Sequence, residues 1–208
     1  LARPCCRDRR VALLEDRRGT LWVGTFGGGL NRLDRDSGAF TVFRHESDDP
    51  ASLSRDVVTA LAEDSTGVVW VGTEGGGLNR FDASRGQFTH FVHDPADSGS
   101  IADDTIYSLY VDSGGTLWIG SRSGLSRLDP GPGKPKFRSY TSSDGLPGNV
   151  VYGIESDNAG RLWLGGSQGL VRFDPRTGVF KRYTASQGLQ GNEFNFGAHY
   201  RSPDGELF

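Results

Sequence analysis

Four tryptophans recur at an almost constant interval and mark a repeated sequence unit. They are Trp22, Trp70, Trp118 and Trp163. The intervals between them are 48, 48 and 45 residues. The stretch 63–82, EDSTGVVWVGTEGGGLNRFD, occurs almost unchanged at 15–34 and returns in degraded form from Val111 and from Ser156. Self-similarity with this period is typical of β-propellers and of solenoids.

The first half of each unit has the pattern of a β-hairpin. Segments such as VVTALAED and LWVGT alternate apolar and polar residues, as half-buried strands do. Between them lies Asp-x-x-Gly, in which the Asp side chain can accept hydrogen bonds from backbone N–H groups two or three residues on, and the Gly supplies a positive φ. The Trp that follows is too large for one small sheet to bury. We therefore expect it to pack against the neighbouring repeat.

The second half of each unit predicts two more strands. A segment of the type GLNRFD follows a glycine corner, and an Asp-x-x-x-Gly turn then leads to a strand with two aromatic residues. Four strands in about 45 residues match the size of one propeller blade. The sequence thus predicts an all-β fold, a β-propeller fragment with four complete four-stranded antiparallel blades and the start of a fifth.

The repeats define the expected domain boundaries. We expect the propeller to occupy 11–208, with blades at about 11–45, 57–93, 105–141 and 150–184 and a partial blade at 194–208. Residues 1–10, LARPCCRDRR, do not match the repeat and form a separate N-terminal end. The chain has no Met, and Phe208 stands where a fifth Trp is expected. We therefore expect an internal piece of a larger protein, which forms an arc or part of a closed ring.

Composition argues against several classes of function. The formal net charge is −3 with both signs mixed along the chain, which argues against a nucleic-acid partner. No apolar run approaches the roughly 18 residues of a membrane span. Cys5 and Cys6 are adjacent, and two neighbouring thiols form neither a disulfide framework nor a metal cluster. The sequence predicts no cofactor and no metal.

Three motifs resemble functional sites, and a structural interpretation is favoured for each. The glycine corners at 27–29 and 75–77 precede strands, whereas phosphate-binding loops precede a helix. The Asp of each Asp-x-x-Gly turn lacks the acidic partners of a calcium loop. His90 and His93 are three residues apart and would point to opposite faces of a strand. No nucleophile–base grouping is recognisable, so we predict no catalytic residues.

The antiparallel connectivity places the loops at two ends of the strands. The uniform Asp-containing turns lie at one end, and the glycine corners and longer linkers lie at the other. Variable loops on a rigid scaffold concentrate binding residues. Four candidate ligand contacts are the corner residues that break the repeat, namely Phe26, Glu74, Arg122 and Gln168. Four more lie where the inner strands begin, namely Arg55, Asp104, Asn149 and Asn192. The alternative is ordinary surface, and turn capping for the two Asn.

The repeat resembles a known family. The pattern L-W-[VI]-G-T-x-G-G-G-L-N-R-[LF]-D, with the linkers RHESDDPASLSRD and VHDPADSGSIADD, is similar to the two-component regulator propeller repeat. The final stretch, GLQGNEFNFGAHYRSPDGELF, looks like the end of such a propeller. The resemblance covers 11–208, and the third repeat departs from it at the corner SRSGL.

This resemblance implies a function as well as a fold. Such repeats build seven-bladed propellers that act as extracytoplasmic sensors of bacterial receptors, with oligosaccharides among their ligands. It implies a periplasmic location, an immunoglobulin-like domain and a signalling domain (histidine kinase or diguanylate cyclase) further along the same chain, and a possible homodimer. The propeller itself would not be an enzyme.

Two other classes of propeller stay open. One is a scaffold that binds proteins and no small ligand. The other is a streptogramin-type lyase, whose chemistry needs His, acidic groups and a metal ion around the loops. Only His45 and His93 lie near the predicted loop end, which favours the sensor.

Overall fold

The computed structural model describes residues 11–129, 131, 133, 135–195, 197 and 202, and they form four antiparallel sheets of four strands each. The first sheet contains β1 (Val11–Glu15), β2 (Leu21–Thr25), β3 (Leu30–Leu33) and β4 (Phe40–Phe43). The second contains β5 (Val58–Glu63), β6 (Val69–Thr73), β7 (Leu78–Asp82) and β8 (Gln87–Phe91). The third contains β9 (Ile106–Val111), β10 (Leu117–Ser121), β11 (Leu125–Asp129) and β12 (Lys136–Tyr140). The fourth contains β13 (Gly153–Ser156), β14 (Leu162–Gly166), β15 (Gly169–Asp174) and β16 (Val179–Tyr183).

Each sheet is a simple meander, in which strands that follow each other in sequence are neighbours. This confirms the predicted all-β fold and its four-stranded antiparallel blades. Each of the four Trp residues lies in the second strand of its sheet, as the alternating LWVGT pattern predicts.

The chain divides into two compact units. Unit 1 comprises the chain up to Val92 together with Asp104–Ile106, and therefore holds the first two sheets. Unit 2 comprises His93–Asp103 and the chain from Tyr107, and holds the last two sheets, except that β9 starts in unit 1.

The innermost strands begin close to their predicted starts, with one exception. β13 begins at Gly153, three residues after the predicted Val150. Before this strand, the Val151 N–H donates to the carbonyl of Ser121 in the preceding sheet at 3.0 Å, and the Tyr152 N–H donates to the carbonyl of Gly165 in β14 at 2.8 Å. The predicted fifth blade at 194–208 falls almost wholly outside the described residues. Phe194 is described and is not part of a strand.

Two linkers contain short helical turns that the sequence pattern does not predict. Ser142–Asp144 and Ala185–Gln187 are 3-10 helices, each followed by a glycine in the left-handed region. Their TSSDG and TASQG sequences share one device, because the third helical side chain accepts a hydrogen bond from the N–H of the preceding Thr. The related sequences therefore give the same local structure.

The Asp-x-x-Gly turns have the same geometry in all four sheets. In the second sheet, one carboxylate oxygen of Asp64 accepts from the N–H groups of Thr66 and Val68, at 2.8 and 3.1 Å. The other oxygen accepts from the indole N–H of Trp70 at 2.8 Å. The backbone donors thus lie two and four residues after the Asp, in place of the predicted two or three, and the indole donor lies six residues after it. Equivalent indole bonds join Asp16 to Trp22, Asp112 to Trp118 and Asp157 to Trp163.

The Trp rings of the first and third repeats also pack against the next sheet, as the repeat predicts. In unit 1 the Trp22 ring lies 5.1 Å from the ring of Phe81, edge to face. In unit 2 the Trp118 ring lies 5.9 Å from that of Phe173, in the same arrangement. Trp22 and Trp118 are buried, so their apolar surface is removed from water between neighbouring blades.

The glycine of LWVGT allows these sheets to approach each other. A Cβ on Gly24 would lie 2.4 Å from Cγ1 of Val58, the first residue of the next inner strand. A Cβ on Gly120 would lie 2.8 Å from the carbonyl oxygen of Val151. Glycine at this position is therefore a packing requirement of the repeat.

Candidate functional site

The glycine corners are held by the polar residues of the motif T-x-G-G-G-L-N. In the second sheet, the Thr73 hydroxyl donates to the carbonyl of Gly77 at 2.9 Å. The fully buried amide of Asn79 donates to the carbonyl of Val71 and accepts from the N–H of Ser54 in the linker. The linker is thereby fixed over the corner, which makes this end of the strands a rigid base for its surface residues.

The third sheet repeats this arrangement with shorter side chains. Ser121 takes the place of Thr73, and its hydroxyl donates to the carbonyl of Gly124 at 2.9 Å. Ser126 takes the place of Asn79, and its hydroxyl oxygen accepts from the N–H of Ala102 at 3.0 Å. The degraded third repeat therefore keeps the function of the motif.

The three histidines that the structure describes contact carbonyl groups of the linkers. A ring nitrogen of His45 lies 2.9 Å from the carbonyl oxygen of Leu53, and that of His93 lies 2.8 Å from the carbonyl oxygen of Ile101. His90 makes the same kind of contact with Ser52 at 2.7 Å. Within the described ranges, no three His, Cys, Asp or Glu side chains form a group that could hold a metal ion.

Four of the predicted contact residues lie in unit 1, and three of them are at the start of β5 and at the corners beside it. Phe26 forms an isolated bridge with Val57, and the N–H of Glu74 donates to the carbonyl of the same Val57 at 3.0 Å. The exposed Arg55 lies with its Cγ over Gly76 of the corner. The structure therefore brings Phe26, Arg55 and Glu74 to one region.

Asp104 is the fourth of these residues, and its position is set by the backbone. Its carbonyl accepts a hydrogen bond from the N–H of Gly77 at 2.8 Å. The Asp56 carbonyl makes the equivalent contacts with Gly27 and Gly29, at 3.0 and 2.9 Å. The ends of the first two linkers are thus fixed to the preceding glycine corners by backbone hydrogen bonds.

The other four predicted residues lie in unit 2, and their exposure and hydrogen-bond partners differ. Arg122 is exposed and pairs with the buried carboxylate of Asp103 at 3.2 Å. Gln168 packs over Gly148, and Asn149 is exposed next to it in the chain. The amide oxygen of Asn192 accepts from the N–H of Ala185 at 2.8 Å, so Asn192 has the turn-capping role given above as the alternative.

The structure adds an aromatic pair that sequence reasoning missed. The rings of Tyr107 and Tyr152 lie 5.1 Å apart at an angle of 55°, and both side chains are partly exposed. Tyr107 follows Ile106, the buried first residue of β9, and Tyr152 follows the buried Val151 directly before β13, in TIYSL and VVYGI. Their shared position in the repeat was the available signal, but the first two repeats have no aromatic residue there.

The equivalent residue of the second repeat is Thr59, which lies at a β-bulge. The register of β5 against β6 shifts between Val58 and Ala60, and Thr59 is the extra residue. Its hydroxyl oxygen is buried and has no hydrogen-bond partner among the described residues. Bulges are over-represented next to active sites, at sheet edges and at the rims of barrels.

The described residues contain no helix with the length and hydropathy of a membrane span.

A family model identifies the repeats. The model for the two-component regulator propeller matches residues 7–27, 52–75, 100–123 and 145–168. The chain belongs to the two-component regulator propeller family. The first match begins at residue 7, four residues before the repeat boundary predicted at Val11. Each match to this propeller ends within a glycine corner, so it includes the linker end, the Asp-x-x-Gly turn and the Trp.

Solved structures of similar fold include receptor domains from B. thetaiotaomicron. One is described as the extracellular domain of a hybrid two component system, with 19% identity, a TM-score of 0.69, and coverage of 100% of this chain and 33% of that chain. Another of the same description has 24% identity, a TM-score of 0.76, and coverage of 97% and 28%. The two-component regulator propeller thus spans about a third of these structures, and the likeness shows the fold.

A virginiamycin B lyase from Staphylococcus aureus has the same fold. It shares 17% identity with this propeller at a TM-score of 0.65, over 95% of this chain and 68% of that chain. At this identity the likeness again concerns the fold alone. No curated protein matches the chain.

Proposed function

We propose that this two-component regulator propeller is the ligand-sensing part of a bacterial signal-transduction receptor, and that it binds a small molecule of the oligosaccharide class without reacting with it. The observation that carries the proposal is the Tyr107–Tyr152 pair beside the loops of unit 2. Asp103 precedes Tyr107 by four residues and Asn149 precedes Tyr152 by three, so the aromatic pair adjoins both linker ends.

The chemistry of this region suits a sugar. Partly exposed aromatic rings present apolar faces to the C–H side of a sugar, and polar groups around them bind its hydroxyls. Arg122, Asn149 and Gln168 supply donors and acceptors at the same end of the strands. A few polar groups around an aromatic surface are typical of small-molecule sites.

The Arg122–Asp103 pair is suited to hold a ligand in one orientation. The Asp103 side chain is only 9% exposed, whereas that of Arg122 is 64% exposed. Asp103 also accepts from the hydroxyl of Ser123 at 2.6 Å, which fixes the carboxylate. The guanidinium group has five N–H donors, so those not used by Asp103 can bind ligand hydroxyls.

His45 and His93 have the same place in two repeats. Each directs Nδ1 at a linker carbonyl, at 2.9 and 2.8 Å. A contact that recurs in this way helps to fix the linkers beside the glycine corners.

The receptor context completes the proposal. The solved structures described above as extracellular domains of two component systems support a location outside the cytoplasm, here in the periplasm. An immunoglobulin-like domain and a kinase or cyclase domain of the same chain would then carry the signal, in a homodimer. The ligand would act by binding one arrangement of propeller and partner domain more tightly than another.

Calorimetric titration of the chain against a panel of neutral oligosaccharides tests this function. We expect one member to bind, and Tyr152→Ala and Arg122→Ala to weaken its binding about tenfold each, which corresponds to about 1.4 kcal/mol. Arg176→Ala is the matched control, because Arg176 is exposed at the opposite end of the strands and pairs with Asp174. Binding that is unchanged in both Tyr152→Ala and Arg122→Ala would contradict the site.

The same titration separates the alternatives. Turnover of an oligosaccharide or of a streptogramin lactone would show that the propeller is an enzyme of the lyase type and not a sensor. Absence of any small ligand, together with a protein partner bound at the loops, would favour the scaffold. Each alternative therefore has its own outcome.

A further inference from the structure

Unit 1 contains a cavity at the end of the strands that carries the Asp-containing turns. Its volume is about 470 Å³, within the range of small-ligand sites. The wall is formed by the Asp-x-x-Gly turns of the first two repeats and by the β7–β8 turn. The uniform sequence of these turns indicates a structural role for this end of the strands. The proposed sensor site lies at the other end.

One guanidinium group in the cavity differs from its counterparts in the first and third repeats. Arg80 lies opposite Trp70 in the β6–β7 ladder, as Arg32 lies opposite Trp22 and Arg127 opposite Trp118. The guanidinium of Arg32 lies over the Trp22 ring, 5.9 Å from its centroid. That of Arg127 lies over the Trp118 ring and pairs with Asp129.

Arg80, in contrast, makes no such contact. Its side chain is exposed in the cavity wall and has no hydrogen bond, ion pair or ring contact with any residue that the structure describes. The repeat therefore presents a cation here that the fold itself does not use.

A second cation of the same kind comes from the first repeat. The neighbouring Arg17 is occupied, because its guanidinium donates to the carbonyls of Asp64 and Ser65, each at 2.7 Å. Arg18 points elsewhere and lines the cavity. Its guanidinium, like that of Arg80, has no partner within the described ranges.

The cavity also contains one carboxylate and two hydroxyl groups. One oxygen of Asp82 accepts from the N–H and the hydroxyl of Ser84, at 2.9 and 2.7 Å. Its other oxygen lies 4.0 Å from Arg85. Thr89, exposed on β8 opposite Arg80, supplies the second hydroxyl. Two cations and one anion leave a small net positive charge beside hydrogen-bonding groups of both kinds.

We propose that this cavity binds a carboxylate-bearing sugar, such as a hexuronate. The ligand carboxylate is bound by the guanidinium groups of Arg18 and Arg80, which form strong charge-assisted bonds with carboxylates. The sugar hydroxyls donate to Asp82 and bond to Thr89. The carboxylate of Asp82 disfavours a compact dianion such as sulfate. Sulfate has the same sign of charge as Asp82 and, unlike a sugar hydroxyl, has no proton to donate to the carboxylate.

Titration of the isotope-labelled chain with D-glucuronate, followed through the amide signals of Gly67, Val68 and Ser84, tests the proposal. We expect saturable shifts of these signals, at least tenfold weaker binding in Arg18→Gln and in Arg80→Gln, and no change in Arg176→Gln. D-glucose and sodium sulfate are tested at the same ionic strength, because interactions between exposed charges are sensitive to salt. Each should bind at least tenfold more weakly than glucuronate.

Several outcomes would overturn the proposal. Binding of glucose as tight as that of glucuronate would show that the arginines are not used. Binding of sulfate as tight would show a simple anion site. Absence of saturable shifts would remove the site. All three variants change exposed side chains, so unchanged spectra elsewhere will verify the fold. None of them alters Tyr107, Tyr152 or Arg122 of the proposed sensor site.

Discussion

The carboxylate of Asp64 accepts a hydrogen bond from the indole N–H of Trp70 at 2.8 Å, and it holds the backbone of its own turn with its other oxygen. One short side chain thus ties a hairpin turn to the indole ring on the second strand of the same sheet. The same pair occurs in all four repeats, with indole-to-carboxylate distances between 2.8 and 3.1 Å. The turn and the second strand are therefore coupled through two residues six positions apart.

Loss of the Asp64 carboxylate should destabilise the chain. Asp64→Ala leaves two backbone N–H groups and one indole N–H without their acceptor, and we expect a loss of about 1.5–3 kcal/mol in the free energy of unfolding. Urea unfolding of Asp64→Ala, Trp70→Phe and the double variant measures the pair. A coupling energy of about 1 kcal/mol is expected. Additive single effects would show that the indole bond contributes nothing.

Stability should fall in acid because of these turns. Burial raises the pKa of the Asp64 carboxyl, but the hydrogen bonds from Thr66, Trp70 and Val68 outweigh it and hold the pKa below its usual value of 3.8. A carboxyl with a lowered pKa in the folded state stabilises the fold above its unfolded pKa, and this contribution is lost as the pH falls through the folded pKa. The same direction holds for Asp16 and Asp157, where burial is again the largest opposing cause.

The free energy of unfolding, measured from pH 6 to pH 2, should therefore be level above about pH 5 and decline below about pH 4. Asp64→Asn removes one titrating group and should make the decline shallower. A profile that is unchanged by this substitution would contradict the role given to the Asp64 carboxylate.

The buried Trp of the third repeat should matter more than that of the fourth. Trp118 is 1% exposed and packs against Phe173 and Tyr140, so Trp118→Ala should cost about 3–5 kcal/mol. Trp163 is only partly buried, and Trp163→Ala should cost less. Chemical unfolding of both variants provides the comparison, and an equal cost would show that packing between blades does not set the difference.

Gly24 should not tolerate a methyl group. Its Cβ would lie 2.4 Å from Cγ1 of Val58, so Gly24→Ala should destabilise the chain by about 1–3 kcal/mol through overpacking. Val58→Ala removes the methyl group that clashes. The double variant should therefore lose less stability than the sum of the two single losses, and strict additivity in thermal unfolding would count against the close contact.

The exposed apolar residues of the first sheet should promote self-association. Phe40 is 53% exposed, whereas Phe88, its counterpart in the second sheet, is 6% exposed and lies in a core cluster with Trp22. Leu13 on the same sheet is 65% exposed. Such surface invites association. Sedimentation should show oligomers at micromolar concentration that diminish in Leu13→Ser combined with Phe40→Ser. A monodisperse parent chain would disprove this.

Much of the fold could be predicted from the sequence alone. The alternation of apolar residues, the Asp-x-x-Gly turns and the recurrence of Trp determine which residues form strands and how the strands of one blade connect, because these features depend on neighbours a few positions apart. The end of the strands at which each loop lies could also be predicted, since antiparallel strands must alternate in direction. On this basis, Arg122 and Gln168 could be placed on corners.

The tertiary structure decided which of these residues meet. Tyr107 and Tyr152 form a pair only because two blades pack face to face. The distance between their rings cannot be predicted from the sequence of either repeat. Arg18 reaches the cavity of the second blade for the same reason. Asn192 is occupied by a turn that its own linker forms. Local pattern determines strands and turns, whereas contacts between residues some 45 positions apart depend on how whole sheets pack, and that packing is a property of the folded chain.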